Sequence, residues 1–288
     1  MPDRSRYIKP LRELTIMDDF MFGVVMQDKA LCKPLLEILL GFPIREIQYV
    51  ALQDSIKPDY GAKGVRLDVF AEDDQNTVYD IEVQVMNKHD IPKRARYYHS
   101  LIDLNLLNAG KSYHELRKSY VIFICPFDPF DEGRSIYSFE NTCREMPSLP
   151  LNDGAHTVIV NTKGKRGSTG RDFDALMQYF NAGEAQTDYT RQIDSAVQHV
   201  KNRKETEVAY MTLAVRLMDE RWEGREEGRE EGREEGRREA AEQARKENIR
   251  NMFVLLKQYV SEETAVRQIA QQLKVTEESV RETLEEKE

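Results

Sequence analysis

With 288 residues, 42 basic and 51 acidic side chains and a formal net charge of -9, the chain has length for a globular body plus appended segments. Its charge excludes a broadly basic nucleic-acid coat and a ligand for anionic membranes. Cys32, Cys125 and Cys143 are too few and too scattered for a disulfide framework or a zinc pattern. No apolar run approaches the roughly 20 residues of a membrane span, and "MPDRSRYIKP" lacks the apolar core of a signal peptide, so a reducing cytoplasm is the expected setting.

In chain order, residues 14–41 space Phe20, Val24, Leu31, Leu35, Ile38 and Leu39 at helical intervals and stop at Gly41, which predicts two short helices broken near Asp28. Three runs rich in β-branched and aromatic residues follow, at 44–52, 65–72 and 77–86. "DIPKRARYYHSLIDLNLLNAG" predicts a helix capped by Asp90, with Pro92 in its first turn and Gly110 at its close. "SYVIFICPF" (119–127) is nearly all apolar and predicts a strand buried on both faces, while "SIYSFEN" and "HTVIVNT" predict two more. Helical sequence dominates beyond residue 171.

The repeat "WEGREEGREEGREEGRR" (222–238) places glycines at 224, 228, 232 and 236. Each Gly costs a helix about 1 kcal/mol relative to Ala. A period of four also stacks Glu230 over Glu226 and Arg229 over Arg225, leaving only i,i+3 attractions such as Glu226 with Arg229. The expected organisation is a main domain at 1–182, a helical extension at 183–221, a solvated low-complexity linker at 222–239 and a small helical region at 240–288. In that last region helices start at Ser261 and Thr276. With 8 basic and 10 acidic residues from Ala240 on, it is poorly charged for a DNA-reading helix-turn-helix and reads as an oligomerisation or docking element.

Acids stand in the middle β runs where a buried sheet wants apolar side chains. Alternation along 77–86 puts Tyr79, Ile81, Val83 and Val85 on one face, and Val78, Asp80, Glu82, Gln84 and Met86 on the other. On the preceding run Asp68 shares a face with Arg66 and Phe70, while Val65, Leu67 and Val69 take the opposite one. A hairpin centred on Gln75 pairs residues whose numbers sum to 150, which sets Asp68 across from Glu82 with Cβ atoms about 5 Å apart. Its loop must be odd in length, because an even one would turn Glu82 to the other face. Carboxylates that close repel unless a cation or a shared proton relieves them. Hard oxygen ligands suit Mg²⁺ or Mn²⁺, an ion that polarises a phosphodiester and acidifies a bound water, and the Val83 carbonyl is a further candidate ligand. A solvated acidic hairpin accounts for the same pattern more simply. An EF-hand reading of "DDQNTVYDIE" fails for want of the central Gly.

Asp68, the hairpin, Glu82-x-Gln84 and the helix that follows resemble the PD-(D/E)XK nuclease core, specifically the recombination-promoting nucleases or PD-(D/E)XK nuclease family transposases. "MDDFMFGVVMQDKALCKPLLEILLG", "RLDVFAED", "YDIEVQV", "KRARYYHSLI" and the Glu-Gly-Arg repeat share the likeness. The resemblance implies an α/β, restriction-endonuclease-like core, a mixed sheet flanked by helices, with a helical C-terminal extension. It implies a metal-dependent DNA endonuclease promoting recombination or mobile-element activity, with Asp68 and Glu82 as metal ligands and Gln84 beside them in the catalytic set. Gln84 departs from the superfamily pattern, which has lysine there. Its amide can bridge a water and a phosphate but brings no charge.

A cation can return from the next helix, where Lys88, Lys93, Arg94 and Arg96 face a single acid, Asp90, and Tyr97 and Tyr98 can stack or hydrogen-bond near a DNA backbone. Tyr98 with Leu101 and Ile102 fits a helix core equally well. In "TKGKRGSTGR", Lys163, Lys165, Arg166 and Arg171 are candidate DNA-backbone contacts, although a flexible exposed turn is the plainer account. Asp18 and Asp19 read as a helix N-terminal cap rather than as ligands. The competing function is a catalytically weak or inactive nuclease-fold protein that acts in binding or assembly, as a homo-oligomer through its C-terminal helices.

Overall fold

A computed structural model describes residues 8–52, 55–56, 65–167 and 170–285. Helix α1 (Asp19–Met26) and helix α2 (Lys29–Leu40) are separated as expected at Asp28, whose carboxylate accepts the Ala30 N–H at 2.8 Å. Gly41, at φ 75°, closes α2 by donating to the Glu37 carbonyl. The strands are β1 (Ile47–Leu52), β2 (Ser55–Ile56), β3 (Val65–Arg66), β4 (Val69–Asp73), β5 (Val78–Val83), β6 (Ser119–Cys125), β7 (Ile136–Phe139) and β8 (Ala155–Asn161). Six of them form one mixed sheet in the order β1-β4-β5-β6-β8-β7, parallel across β5-β6-β8 and antiparallel at both flanks.

Hairpin β4–β5 pairs Val69 with Ile81, Phe70 with Asp80, Ala71 with Tyr79 and Glu72 with Val78, the register centred on Gln75. Its turn is built by Asp73, whose carboxylate accepts the N–H groups of Gln75 (2.9 Å) and Thr77 (2.8 Å) and the hydroxyl of Tyr79 (2.8 Å). Asn76 takes the left-handed position at φ 62°. The run 65–72 is not one strand. It breaks between β3 and β4, so simple alternation fails there and Leu67 joins the same buried cluster as Phe70.

Helix α3 (Ile91–Leu106) packs Ile91, Ala95, Tyr98, Leu101 and Ile102 onto the sheet face that carries Phe70, Val78, Val121 and Phe123. Pro92 stands in its first turn, but Asp90 caps through its carbonyl, which accepts from Lys93 and Arg94, and not through its carboxylate. The helix stops at Leu106, short of Gly110, which lies in the next turn at φ 83°. Strand β6 is buried at every residue, as its apolar run predicts.

Beyond the sheet come α4 (Arg171–Ala182), α5 (Asp188–Asn202), α6 (Lys204–Leu256), α7 (Glu262–Leu273) and α8 (Glu277–Glu285). The chain divides into two compact units, Met1–Thr212 and Leu213–Glu288. In the second, Ile249, Val266, Ile269, Ala270 and Val280 form a core between the end of α6, α7 and α8. The Glu-Gly-Arg repeat, for which the sequence predicts a marginal helix at best, lies within α6 and is helical throughout. Nucleation is the costly step in helix formation, and a 53-residue helix incurs it once, after which each residue adds a hydrogen bond. Arg229 and Glu226 make the anticipated i,i+3 pair at 3.2 Å.

A candidate metal centre and nucleic-acid interface

Asp68 occupies the bend just before β4 and extends the hairpin register by one step, so that it meets Glu82 on β5. The two are joined reciprocally. The Asp68 N–H donates to Glu82 Oε1 at 2.9 Å, and the Val83 N–H donates to Asp68 Oδ2 at 3.1 Å. Each carboxylate is thus fixed by the backbone of the opposite arm, with one oxygen of each left for another partner. Val83 lies against Asp68 through this bond, which puts its peptide beside the pair.

The acidic face of β5 is not solvated. Glu82 is 4% exposed and Asp80, one pleat deeper on the same face, is 0% exposed beneath α3. Neither Asp80 oxygen finds a hydrogen-bond donor among the described residues. The groups whose charges act on it are the Glu82 and Asp68 carboxylates and the Arg94 guanidinium. Burial first, and then the charge of Glu82, drives Asp68 and Asp80 well above the ordinary carboxylate range. Burial pushes Glu82 up to about 7, against the opposing pull of the Asp68 N–H and Arg94. A proton shared between Asp80 and Glu82 is the relief open to two raised carboxyls at such depth. Asp19, at the start of α1, adds its charge to Asp68, while its own Oδ1 accepts the Phe20 N–H. Asp18 does not cap α1 with its side chain. It takes Lys9 at 2.8 Å and the Thr15 N–H at 2.6 Å.

Glu82 Oε2 faces α3, where Arg94 Nη2 lies at 3.4 Å and the Tyr98 hydroxyl at 3.3 Å. Arg94 Nη1 donates to Gln84 Oε1, Arg94 Nη2 donates to Tyr98 at 2.7 Å, and the guanidinium lies over the Phe123 ring at 5.2 Å. Gln84 is anchored at its other end by donating to the Met86 carbonyl at 2.6 Å. The positive charge absent from position 84 is therefore supplied by the neighbouring helix. Of the four cations that the sequence offers near α3, Arg94 is the one brought to Glu82 and Gln84. Lys88, Lys93 and Arg96 make no ion pair with any described residue. Tyr98 is buried in the core, as its helix-core reading expects, and its hydroxyl donates to Glu82 Oε2.

Lys163, Lys165 and Arg166 follow β8 and are also exposed. Strands β5, β6 and β8 run parallel, so their carboxyl ends lie at one edge of the sheet. Val83 is level with Ile124, and Ile124 with Val160. The loop therefore shares that edge with Glu82 and Gln84, two strands away.

Sequence reasoning undervalues Asp80. Its i,i+2 spacing from Glu82 is the available signal, whereas the cover provided by α3 is not. Among the described residues no three His, Cys, Asp or Glu side chains are grouped to hold an ion. What the site presents is two carboxylates at a strand end, with a backbone carbonyl nearby. That donor set fits a hard divalent ion that keeps several waters, as Mg²⁺ does, and is too sparse for a closed structural site.

Residues 19–144 match the family model described as PD-(D/E)XK nuclease family transposase. That span contains Asp68, Asp80, Glu82, Gln84, Arg94 and Tyr98. With the mixed sheet and its flanking helices, it bears out the expected PD-(D/E)XK α/β fold class with a helical C-terminal part. Over that span the chain is similar to a nuclease- or transposase-like domain. No curated protein and no solved structure matched. No helix among the described residues is long and apolar enough to cross a membrane.

Proposed function

We propose that the protein is a metal-dependent endodeoxyribonuclease that hydrolyses DNA phosphodiester bonds in recombination or mobile-element activity. The observation that carries this reading is the Asp68–Glu82 pair, with Glu82 held by the Asp68 N–H and Asp68 by the Val83 N–H, joined by Gln84 and Arg94 at the carboxyl end of β5. Asp68, Glu82 and the Val83 carbonyl would hold Mg²⁺ or Mn²⁺, which when bound supplies Lewis-acid activation of the phosphate and of an attacking water.

The chain's own groups do the rest. Gln84 presents an amide whose orientation is set at both ends, by Arg94 on its oxygen and by Met86 on its nitrogen, so it can hold a water or a phosphate oxygen without searching rotamers. Arg94 places a permanent charge, held by Tyr98, where the phosphate gains negative character. Tyr98 keeps Glu82 turned toward the strand end. Lys88 and Lys93 are suited to flanking phosphates.

Supercoiled plasmid incubated with Mg²⁺, with Mn²⁺ and with EDTA tests the proposal. Nicked or linear product is expected with either ion and none with EDTA, and Asp68→Ala or Glu82→Ala is expected to abolish it. Cleavage that survives both substitutions would end the site assignment. No cleavage under any ion would favour the alternative, a nuclease fold used for binding or assembly.

A further inference from the structure

The loop 163–166 has two properties that rarely coincide, a rigid backbone and unpaired charges. The Gly164 N–H donates to the Asn161 carbonyl (3.0 Å), and the Lys165 and Arg166 N–H groups donate to the Gly133 carbonyl (3.0 and 3.1 Å). The Ser135 N–H donates to the Arg166 carbonyl at 2.8 Å. The Asn161 side chain ties the loop down twice, accepting the Lys163 N–H at 3.0 Å and donating to the Arg134 carbonyl at 3.1 Å. Gly164 is pressed so closely on the adjacent chain that a Cβ there would stand 2.5 Å from the Arg134 carbonyl oxygen and the Ser135 Cα. The sequence alone favours a flexible turn. The structure has a braced one.

From this frame Lys163, Lys165 and Arg166 reach solvent, and none makes an ion pair with a described residue. They line a cavity of about 520 Å³ whose other wall carries Asp128, Asp131 and Glu132. Asp128 is committed to the Phe130 and Gly133 N–H groups and the Tyr137 hydroxyl. Acids on that wall repel an extended anionic face and confine an anion to the basic side, which suits one backbone strand. Adjacent strands stand about 4.8 Å apart, so the end of β8 lies about 10 Å across the sheet from the end of β5. A DNA strand rises about 3.4 Å per nucleotide along the duplex axis but winds around it, which sets successive phosphates about 7 Å apart, so that span is about one to two nucleotides.

We infer that the 163–166 loop is a second phosphate-binding station, gripping the substrate strand about one to two nucleotides from the phosphate that Arg94 faces. This rests on the nuclease reading for its substrate, and it sets the direction of that substrate. The strand crosses the carboxyl ends of β5, β6 and β8 rather than running along them.

The test reads binding alone and needs no cleavage. A labelled duplex is prepared as a set in which each phosphate in turn is a neutral methylphosphonate. Affinity is measured in EDTA for the full-length protein, for Lys163→Ala/Lys165→Ala/Arg166→Ala and for Arg94→Gln, with Lys93→Ala on the same turn as a second probe should Arg94→Gln lose the fold. The loop variant should melt like the wild type, because only exposed side chains are removed. It should bind more weakly, with a salt slope smaller by about 1 for each phosphate it no longer neutralises. It should also be indifferent to methylphosphonates at positions that weaken the wild type, and those positions should lie about one or two nucleotides from the ones to which Arg94→Gln is indifferent. An unchanged salt slope, coincident positions in the two variants, or no DNA binding by the wild type would overturn the inference. Absence of plasmid cleavage with the offset intact would sink the nuclease reading alone.

Discussion

Three carboxyl groups, Asp68, Asp80 and Glu82, sit under or beside one helix with a single guanidinium to offset them. This arrangement opposes folding, and the sign follows from the titration. A carboxyl whose folded value is raised stabilises the fold fully below its unfolded value and loses that contribution as pH climbs to the folded value. For Glu82 the window runs from 4.5 to about 7. Half-buried His99, lowered by desolvation to about 4, pulls the other way as pH falls below 6.5, so the diagnostic quantity is a difference. In EDTA, calorimetry should find Glu82→Gln melting above the wild type by several degrees at pH 7.5, with the gap closing toward pH 4.5. A gap constant with pH would mean that the carboxyl is not the cause.

The Asp68–Glu82 pairing is legible in the sequence because a hairpin reduces it to counting. Asp80 and Arg94 are legible only in part. Alternation places Asp80 on the face of Glu82, and i,i+4 spacing places Arg94 over Tyr98. Which side of the sheet α3 covers is a tertiary fact that neither spacing encodes.

At the scale of elements, local signals and cooperative ones diverge. Asp28, Gly41 and the apolar run of β6 each declare their role within a few residues, and those boundaries are readable. The repeat misleads because its glycines and like-on-like charges argue against a helix residue by residue, whereas α6 forms as one cooperative object. A Cβ at Gly224, Gly228, Gly232 or Gly236 meets nothing within 4 Å. Converting all four to Ala should therefore stabilise the helix by about 1 kcal/mol per site. Circular dichroism should show the helical melt of the full chain moving upward while plasmid cleavage stays unchanged. An unaltered or lower melt would mean that the glycines are needed for a conformation other than this helix. Lys163 and its neighbours illustrate the converse case. Their loop is stiff because of Gly133, Arg134 and Ser135, nearly thirty positions earlier, which no local window contains.

At the scale of the whole molecule, the family match ends at residue 144, while β8, the basic loop and the helices after it lie beyond it. The first unit holds the candidate site, and the second has its own small core. Between these cores α6 carries four glycines and few buried side chains, so its stability there is local. Hydrogen exchange should find amides at 224–236 opening well before those of β6 or α7. Protection of the repeat equal to that of α7 would show that something covers it.

Helix α3 roofs Asp80 while lending Arg94 and Tyr98 to Glu82. Were it to lift, the acids beneath would meet water and ionise more readily, and reseating would again favour their protonated forms. Its local closing is thus thermodynamically linked to pH. On the proposed metal-dependent reading, free magnesium would then bear on how often this helix stands open.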